Sequence, residues 1–357
     1  MESRWTHLEN ETLLGLDVSS QLTSLLETAQ ESSEVPGRIH LLQAKASLYR
    51  GEQAQAFSHL QQAMRLSPVE PCHILFSALC RATGQLERAR SWLDITPKTE
   101  SLERDLEQGL VLREMGQYVQ AESCFLKALH VALEQGAATA LPAIRSLHRL
   151  GVIYCILGRF GESKSFLKTC IEGISKLSDK PGLLETEIWQ DYSLLCLATR
   201  NGVEAEVYAC KALYTRKLIL GNRTPGLAKT YTLVGNVFLE HDPIRSERCL
   251  LKALGLLRLH QGAETDQASA HLSLSALYLQ QSQVEASLRH AQRGSGLLRT
   301  LPRPHADRAS ALLLLSSVLK ANGRSEGDAC ECAAKQEYAS SLPAEHSYVY
   351  TSPDREI

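Results

Sequence analysis

The chain has 357 residues, of which 44% are apolar and only 6% aromatic, and its 38 basic and 40 acidic residues nearly cancel. This length supports a large core of leucine and alanine, while the balanced charge gives no support to a nucleic-acid or anionic-membrane partner. The first 14 residues include three glutamates, and no segment reaches the roughly 18 apolar residues of a membrane helix, so we expect a cytoplasmic protein.

Residues 1–37 are predicted to form a capping helix followed by a loop. Apolar residues between Leu13 and Thr28 recur at helical spacing and give this segment one apolar side. A stack of repeated helices needs a terminal element with one polar face. We therefore expect the segment to cover the first repeat.

From residue 38 onward, two positions for small residues recur, at first every 32 or 33 residues and later about every 41. The first position holds Ala44, Ser77, Gly109, Gly151, Ser193, Gly235, Ser275 and Ser316. The second holds Ala56, Ala89, Ala121, Ser163, Ala205, Ser246, Ser287 and, as the one larger residue, Asp328. Small side chains at both positions let the two helices of one unit approach closely.

The clearest unit carries glycine, alanine and aromatic residues at fixed places, namely Gly109, Leu112, Gly116, Tyr118, Ala121, Phe125 and Ala128. This pattern resembles the tetratricopeptide repeat (TPR), a helix-turn-helix unit. Residues 38–130 then form repeats one to three with the short period. Residues 131–335 form repeats four to eight, whose longer period is similar to the kinesin light chain kind of TPR. The resemblance implies an all-α, right-handed superhelical solenoid of about eight repeats.

Residues 336–357 lose the periodicity and contain two prolines, so we expect a flexible C-terminal tail.

Signatures of enzymes are absent, including glycine-rich phosphate loops, the nucleophile elbow and the zinc motif His-Glu-x-x-His. The ten cysteines are spread singly, apart from Cys330 and Cys332, and show no regular zinc spacing. The sequence therefore predicts a protein that is not an enzyme and has no catalytic residues, cofactor or metal. A cysteine and a histidine brought together by folding remain an alternative.

The resemblance places partner contacts on the inward positions of the first helix of each repeat. These predicted groove residues are Arg145, His148, Arg149, Gln190, Asp191, Lys229, Leu233 and Asn236. The three basic residues of repeat four form the densest basic patch, which with Lys229 and Leu233 suits an acidic peptide with an apolar anchor. The carboxylate clamp of chaperone-binding TPR proteins is missing, since Asn236 is its only matching residue.

We interpret the chain as a non-catalytic TPR adaptor that binds peptides or helical segments of other proteins in its concave groove. The alternative is a regulator that binds a peptide or a small signal and changes its curvature. Neither interpretation involves nucleic acid or a membrane, and the oligomeric state is left open.

Overall fold

A computed structural model describes most of the chain. The described residues are 8–9, 11–12, 21–22, 34–66, 70–95, 101–134, 141–177, 182–222, 224–258, 263–301 and 305–341.

Sixteen helices between Glu34 and Ser341 form eight consecutive pairs in the described part of the chain. The first four pairs consist of α1 (Glu34–Arg50), α2 (Gln53–Leu66), α3 (Glu70–Ala82), α4 (Leu86–Ile95), α5 (Leu102–Glu114), α6 (Tyr118–Glu134), α7 (Leu141–Ile156) and α8 (Phe160–Ile174). The last four consist of α9 (Leu183–Ala198), α10 (Gly202–Leu220), α11 (Ala228–Val237), α12 (Pro243–Leu257), α13 (Glu264–Gln280), α14 (Val284–Leu297), α15 (Ala306–Ala321) and α16 (Glu326–Ser341). Odd-numbered helices are inner and even-numbered helices are outer, as the predicted all-α solenoid requires.

The small residues lie where the two helices of a pair touch, as the sequence predicts. Ser163 on α8 donates from Oγ to the carbonyl of Gly151 on α7 at 2.7 Å, and Ser246 on α12 does the same to Gly235 on α11. Both serines are fully buried. The hydroxyl can reach the neighbouring backbone only because no larger side chain separates the helices. The exception, Asp328, lies on the exposed face of the last helix.

The turn inside a pair uses left-handed backbone. Gly116 and Gly158 end their helices at φ 77° and 76°, and Arg200 occupies the same turn of the fifth pair at φ 58°. Arginine thus takes the conformation for which glycine is preferred.

The superhelix closes on itself, because repeats five apart in the chain touch. The ring of His305, before α15 in repeat eight, places Nε2 3.2 Å from the carbonyl oxygen of Glu114 in repeat three. The backbone N–H of Ala306 donates to the hydroxyl of Tyr118 at 3.3 Å. Repeats one and six also meet, since Gly226 lies against the carbonyl of Arg50. The solenoid therefore completes one turn in about five repeats.

Three of the boundaries predicted from the sequence fall within helices of the structure. Helix α1 begins at Glu34 rather than after residue 37, because Pro36 lies in a first helical turn, where proline is tolerated. Helix α6 continues through the boundary at residue 130, and α16 continues through that at 335 up to Ser341. Most of the predicted cap and residues 342–357 of the predicted tail lie outside the described residues.

No helix in the described part of the chain combines the length and apolar character needed to span a membrane.

Candidate functional site

The inner helices surround a central cavity of about 1270 Å³. All eight of them contribute to its wall, with Leu41, Ile74, Leu110, Val152, Leu194, Asn236, Leu272 and Ser310 as one residue from each, in chain order. The small and the large apolar residues of each inner helix pack outward against the outer helix of the same pair. The other face of the inner helix is therefore directed toward the axis of the superhelix, where the cavity lies. Among these residues, Leu194 is 40% exposed and forms part of an apolar floor.

Seven of the eight predicted groove residues line this cavity, and the eighth lies behind its wall. Those that line it are Arg145, Arg149, Gln190, Asp191, Lys229, Leu233 and Asn236. His148 is fully buried, and its Nε2 lies 2.7 Å from Oδ2 of Asp191. Its Nδ1 has no hydrogen-bond partner among the described residues. His148 therefore positions Asp191 and is not itself a surface for a partner.

The predicted basic patch is not a free cationic surface, because carboxylates of neighbouring repeats pair with it. Arg145 donates to Glu103 with both terminal nitrogens, the Nη2–Oε2 distance being 2.9 Å. Arg149 lies 3.4 Å from Glu187. An acidic peptide with an apolar anchor stays a prediction, and its carboxylates would have to compete with Glu103 and Glu187 for these arginines. Acidic residues occupy inward positions of both flanking helices in the sequence, but which acid pairs with which arginine depends on the angle between the repeats.

These ion pairs join successive inner helices. Besides the two pairs of α7, the pair Arg81–Glu107 links α3 to α5 at 2.8 Å. Lys229 on α11 and Asp266 on α13 are 3.4 Å apart. Opposite charges thus alternate from one repeat to the next along the cavity wall. Because each pair spans an inter-repeat contact, the pairs help to fix the angle between neighbouring repeats.

One side of the cavity keeps a surplus of positive charge. Lys45 and Arg145 share the carboxylate of Glu103, and Arg149 and Arg216 share that of Glu187. These residues form what we name the cationic band: Lys45, Glu103, Arg145, Arg149, Glu187 and Arg216. The band's four cations and two carboxylates give a formal charge of 4 − 2 = +2, which the adjacent carboxylate of Asp191 reduces to +1.

Burial and pairing act on the band in opposite directions. Burial raises the pKa of Glu103, but Arg145 and Lys45 outweigh it and hold that pKa well below its usual range. Burial lowers the pKa of Arg216, whose Nη1 donates to Gln190 at 2.9 Å and to Thr230 at 2.7 Å. The Nε of Arg216 has no partner among the described residues. An incoming carboxylate would compensate this incomplete pairing.

The opposite side of the cavity is richer in acid. Glu114, Asp266 and Asp307 lie there with two cations, Arg113 and Lys229. Burial acts to raise the pKa of Glu114, but Arg113 and Lys229 lower it to about 2. The cavity is therefore electrically polarised, and a ligand with separated acidic and basic groups would complement it.

The described residues contain no group of three or more histidine, cysteine or acidic residues placed to hold a metal ion. Cys155 lines the wall, but burial raises the pKa of its thiol to about 12, so that it stays protonated and a poor nucleophile.

Comparison with known families agrees with this geometry. Residues 102–176, which include α5 to α8, match the family model of the tetratricopeptide repeat. Residues 102–176 are therefore tetratricopeptide repeats. The other helical pairs show the same division into inner and outer helices, and all but the last, where Asp328 is exposed, have small buried residues at the contact. A search of curated proteins finds no match.

Three solved structures illustrate the similarity of the fold. The Cut9–Hcn1 hetero-tetramer of APC/C has a TM-score of 0.61 at 14% identity, over 94% of this chain and 56% of that chain. The Rap conjugation gene regulator of plasmid pLS20, bound to the Phr* peptide, has a TM-score of 0.59 at 15% identity, over 92% of both chains. A Rap protein complexed with competence and sporulation factor has a TM-score of 0.59 at 12% identity, over 89% and 93%. At these identities the similarity concerns the fold.

Proposed function

We propose that this TPR protein is a non-catalytic adaptor whose central cavity binds an extended peptide or a helical segment of a protein partner. The observation that carries the proposal is the cavity itself, to which all eight inner helices contribute. Its volume of about 1270 Å³ exceeds the range of about 300–1000 Å³ that is usual for small-molecule sites. Its apolar floor and polar walls match what a peptide with a few anchoring side chains requires.

The charges define the kind of segment that fits. A carboxylate of the ligand would lie against the cationic band, where Arg149 and Arg216 share one acid. An apolar side chain of the ligand would rest on Leu194, and a basic group would face Asp307. The apolar contact supplies most of the affinity, while the charges set the direction of binding.

Two structures of similar fold support a peptide or protein ligand. The pLS20 Rap regulator holds the Phr* peptide, and the other Rap protein holds competence and sporulation factor. The exclusion of nucleic acid and membrane as partners, and a cytoplasmic location, stay predictions from the sequence.

A second candidate function is that of a regulator whose curvature changes when a ligand binds. The contact between repeats three and eight favours it, because a ligand that pulls the cavity walls together acts directly on the pitch of the superhelix. Adaptor and regulator differ in whether binding changes the shape of the protein.

The test selects peptides from a random display library on the wild-type protein and measures their binding by calorimetry. Leu194→Glu, which places a charge on the exposed apolar floor, should weaken binding at least about tenfold, as should Ser269→Trp, which fills the cavity. Val119→Glu, at an exposed position of outer helix α6, is the matched control and should bind normally. Equal affinity for all four proteins would contradict the cavity as the binding site.

Small-angle scattering with and without a selected peptide separates the two candidates. An unchanged radius of gyration supports the adaptor, and a changed one supports the regulator.

A further inference from the structure

Outer helix α10 exposes large apolar side chains on the surface opposite the cavity. Val203 is 80% exposed, Leu218 69%, Tyr214 67% and Val207 57%. The neighbouring outer helix α12 adds two more, Ile244 at 73% and Leu251 at 49%. We name these six residues the outer stripe. The inner face of α10 is already apolar through its buried alanines, so the helix is apolar on two sides, which is typical of a helix covered on both.

The outer stripe forms one continuous surface. At about 100° per residue, the spacings of 4, 7 and 4 place the four residues of α10 within about 60° of one another. Helix α12 lies alongside at the same level, because Nη2 of Arg245 is 3.8 Å from Sγ of Cys210. Further along, Lys217 and Lys252 lie over the same ring of Tyr231, at 5.1 and 4.8 Å from its centroid.

The outer stripe has the symmetry that pairing with itself requires. Val203 and Leu218 are equally far from a midpoint between residues 210 and 211, and so are Val207 and Tyr214. A second α10 laid antiparallel across this midpoint would place Val203 on Leu218 of the other copy. It would likewise place Val207 on Tyr214. A two-fold interface demands such self-complementarity, since every contact occurs twice.

The two exposed apolar residues of α12 are arranged symmetrically about the same axis. Ile244 and Leu251 are symmetric about a midpoint between residues 247 and 248. Arg245 of α12 contacts Cys210 of α10, so the two helices are aligned at these residues. The midpoint of α12 therefore lies within about one helical turn of the midpoint of α10, measured along the helices. One two-fold axis across both helices thus places Ile244 of one copy on Leu251 of the other.

Charges beside the outer stripe agree with the antiparallel arrangement. Glu206 lies on one side of the axis, and Lys217 lies on the other. Rotation about the axis places Glu206 of each copy beside Lys217 of the second copy. A parallel arrangement would bring like charges together instead. Within its own chain Glu206 contacts His241 at 3.7 Å, and both side chains are about half exposed.

We propose that the outer stripe is the interface of a two-fold symmetric homodimer in which α10 and α12 each pack antiparallel to their own copies. Both central cavities then face away from the interface and remain accessible. The dimer displays two binding sites on one particle, independently of what each cavity binds.

Sedimentation equilibrium of the full chain up to about 100 μM tests the proposal. The wild type should be a dimer, and Tyr214→Glu/Leu218→Glu should raise the dimer dissociation constant at least about tenfold. The matched control is Val119→Glu/Leu126→Glu, which alters similarly exposed apolar residues of α6 and should leave the dimer intact. Circular dichroism checks that all variants keep their helices.

A charge exchange and a cross-link test the antiparallel geometry. Glu206→Arg and Lys217→Glu should each weaken the dimer, and their combination should restore it. Val207→Cys/Tyr214→Cys should form dimers linked by disulfides between residues 207 and 214 on oxidation. Two helical turns of about 10.5 Å separate these positions within one chain, so a bridge between them must join two copies.

A monomeric wild type, or a dimer insensitive to the Tyr214/Leu218 variant, would overturn the proposal. If the monomer instead binds vesicles of phosphatidylglycerol through Tyr214 and Leu218, the outer stripe is a membrane-binding surface and the dimer is likewise overturned.

Discussion

Glycines at the contact between paired helices leave no room for even one methyl group. A Cβ at Gly151 would lie 2.8 Å from Cγ of Leu167, and one at Gly235 would lie 2.6 Å from Cγ of Leu250. A leucine of the outer helix fills the space that a side chain at the glycine position would occupy. Small size is therefore required at these positions by packing and not by backbone conformation.

Gly151→Ala should lower the free energy of unfolding by about 1–3 kcal/mol, because the methyl group overpacks the contact with Leu167. Gly255→Ala is the matched control, since Gly255 is also helical but has nothing within 4 Å of the added atom. That change should leave the protein unchanged or stabilise it by about 0.4–1 kcal/mol, because alanine restricts the unfolded chain. Urea unfolding measures the free energy of unfolding of both variants. Equal effects of the two substitutions would contradict the claim that close packing requires glycine at position 151.

A buried histidine, His271, and its half-buried neighbour His290 should make the stability of repeat seven depend on pH. Nδ1 of His271 lies 2.9 Å from Nδ1 of His290, so one ring must accept a hydrogen bond and remain neutral. Burial, and then the charge of His290, lower the pKa of His271 to about 4, below its ordinary 6.5. The unfolded chain thus binds the proton first, and the stabilisation is complete above pH 6.5 and is lost as the pH falls toward 4.

His271→Gln should reduce the loss of unfolding free energy between pH 7 and pH 5 by on the order of 1 kcal/mol, after allowance for solvent screening. Thermal and urea unfolding at both pH values provide the measurement. His130→Gln, on an exposed side chain of α6, is the control and should keep the wild-type pH dependence. A variant of His271 with that same dependence would show that the pair does not titrate in this range.

At the scale of helices, ion pairs between neighbouring inner helices should matter more than those within one helix. Glu107 is buried and receives two hydrogen bonds from Arg81 of the preceding repeat, at 2.8 and 3.2 Å. Glu107→Gln should cost about 1–3 kcal/mol of unfolding free energy, because it leaves the guanidinium poorly paired. Glu162→Gln, which removes an exposed pair three residues away on its own helix, should change stability little. Comparable losses in both variants would contradict this ranking.

The sequence predicts the helices well because their signals are local. The small residues that recur at Gly109, Gly151 and Gly235 locate each helical pair. Of the eight groove residues predicted from the spacing to these small residues, seven lie on the cavity wall. The pairing of Arg145 with Glu103 is not predictable in this way, since it depends on the angle between two repeats. The position of the His148 ring is not predictable for the same reason. The ring lies against Asp191 of the next repeat and does not face the cavity.

At the scale of the whole molecule, the contact between repeats three and eight decides how closed the cavity is. His305 caps α15 with Nδ1, which accepts from the backbone of Asp307 at 3.2 Å, while Nε2 reaches Glu114. His305→Ser keeps a capping oxygen for α15 but removes the ring that crosses between the turns. The variant should have a larger radius of gyration and faster amide exchange in α15 and α16.

Scattering and hydrogen exchange together check this expectation, with circular dichroism to verify that α15 stays helical. Wild-type dimensions and exchange in His305→Ser would mean that the remaining contacts, such as that of Tyr118 with Ala306, suffice to hold the turns together.

The meeting of repeats five apart also constrains how such a chain can evolve. In a linear array each repeat touches only its neighbours, so that whole units can be gained or lost at little cost. Here the loss of one repeat between the third and the eighth would bring repeat eight opposite a different neighbour, and His305 would no longer meet Glu114. The number of repeats between these two residues is thus constrained as strongly as any single residue, and we expect whole-repeat insertions or deletions in this interval to be rare among related proteins.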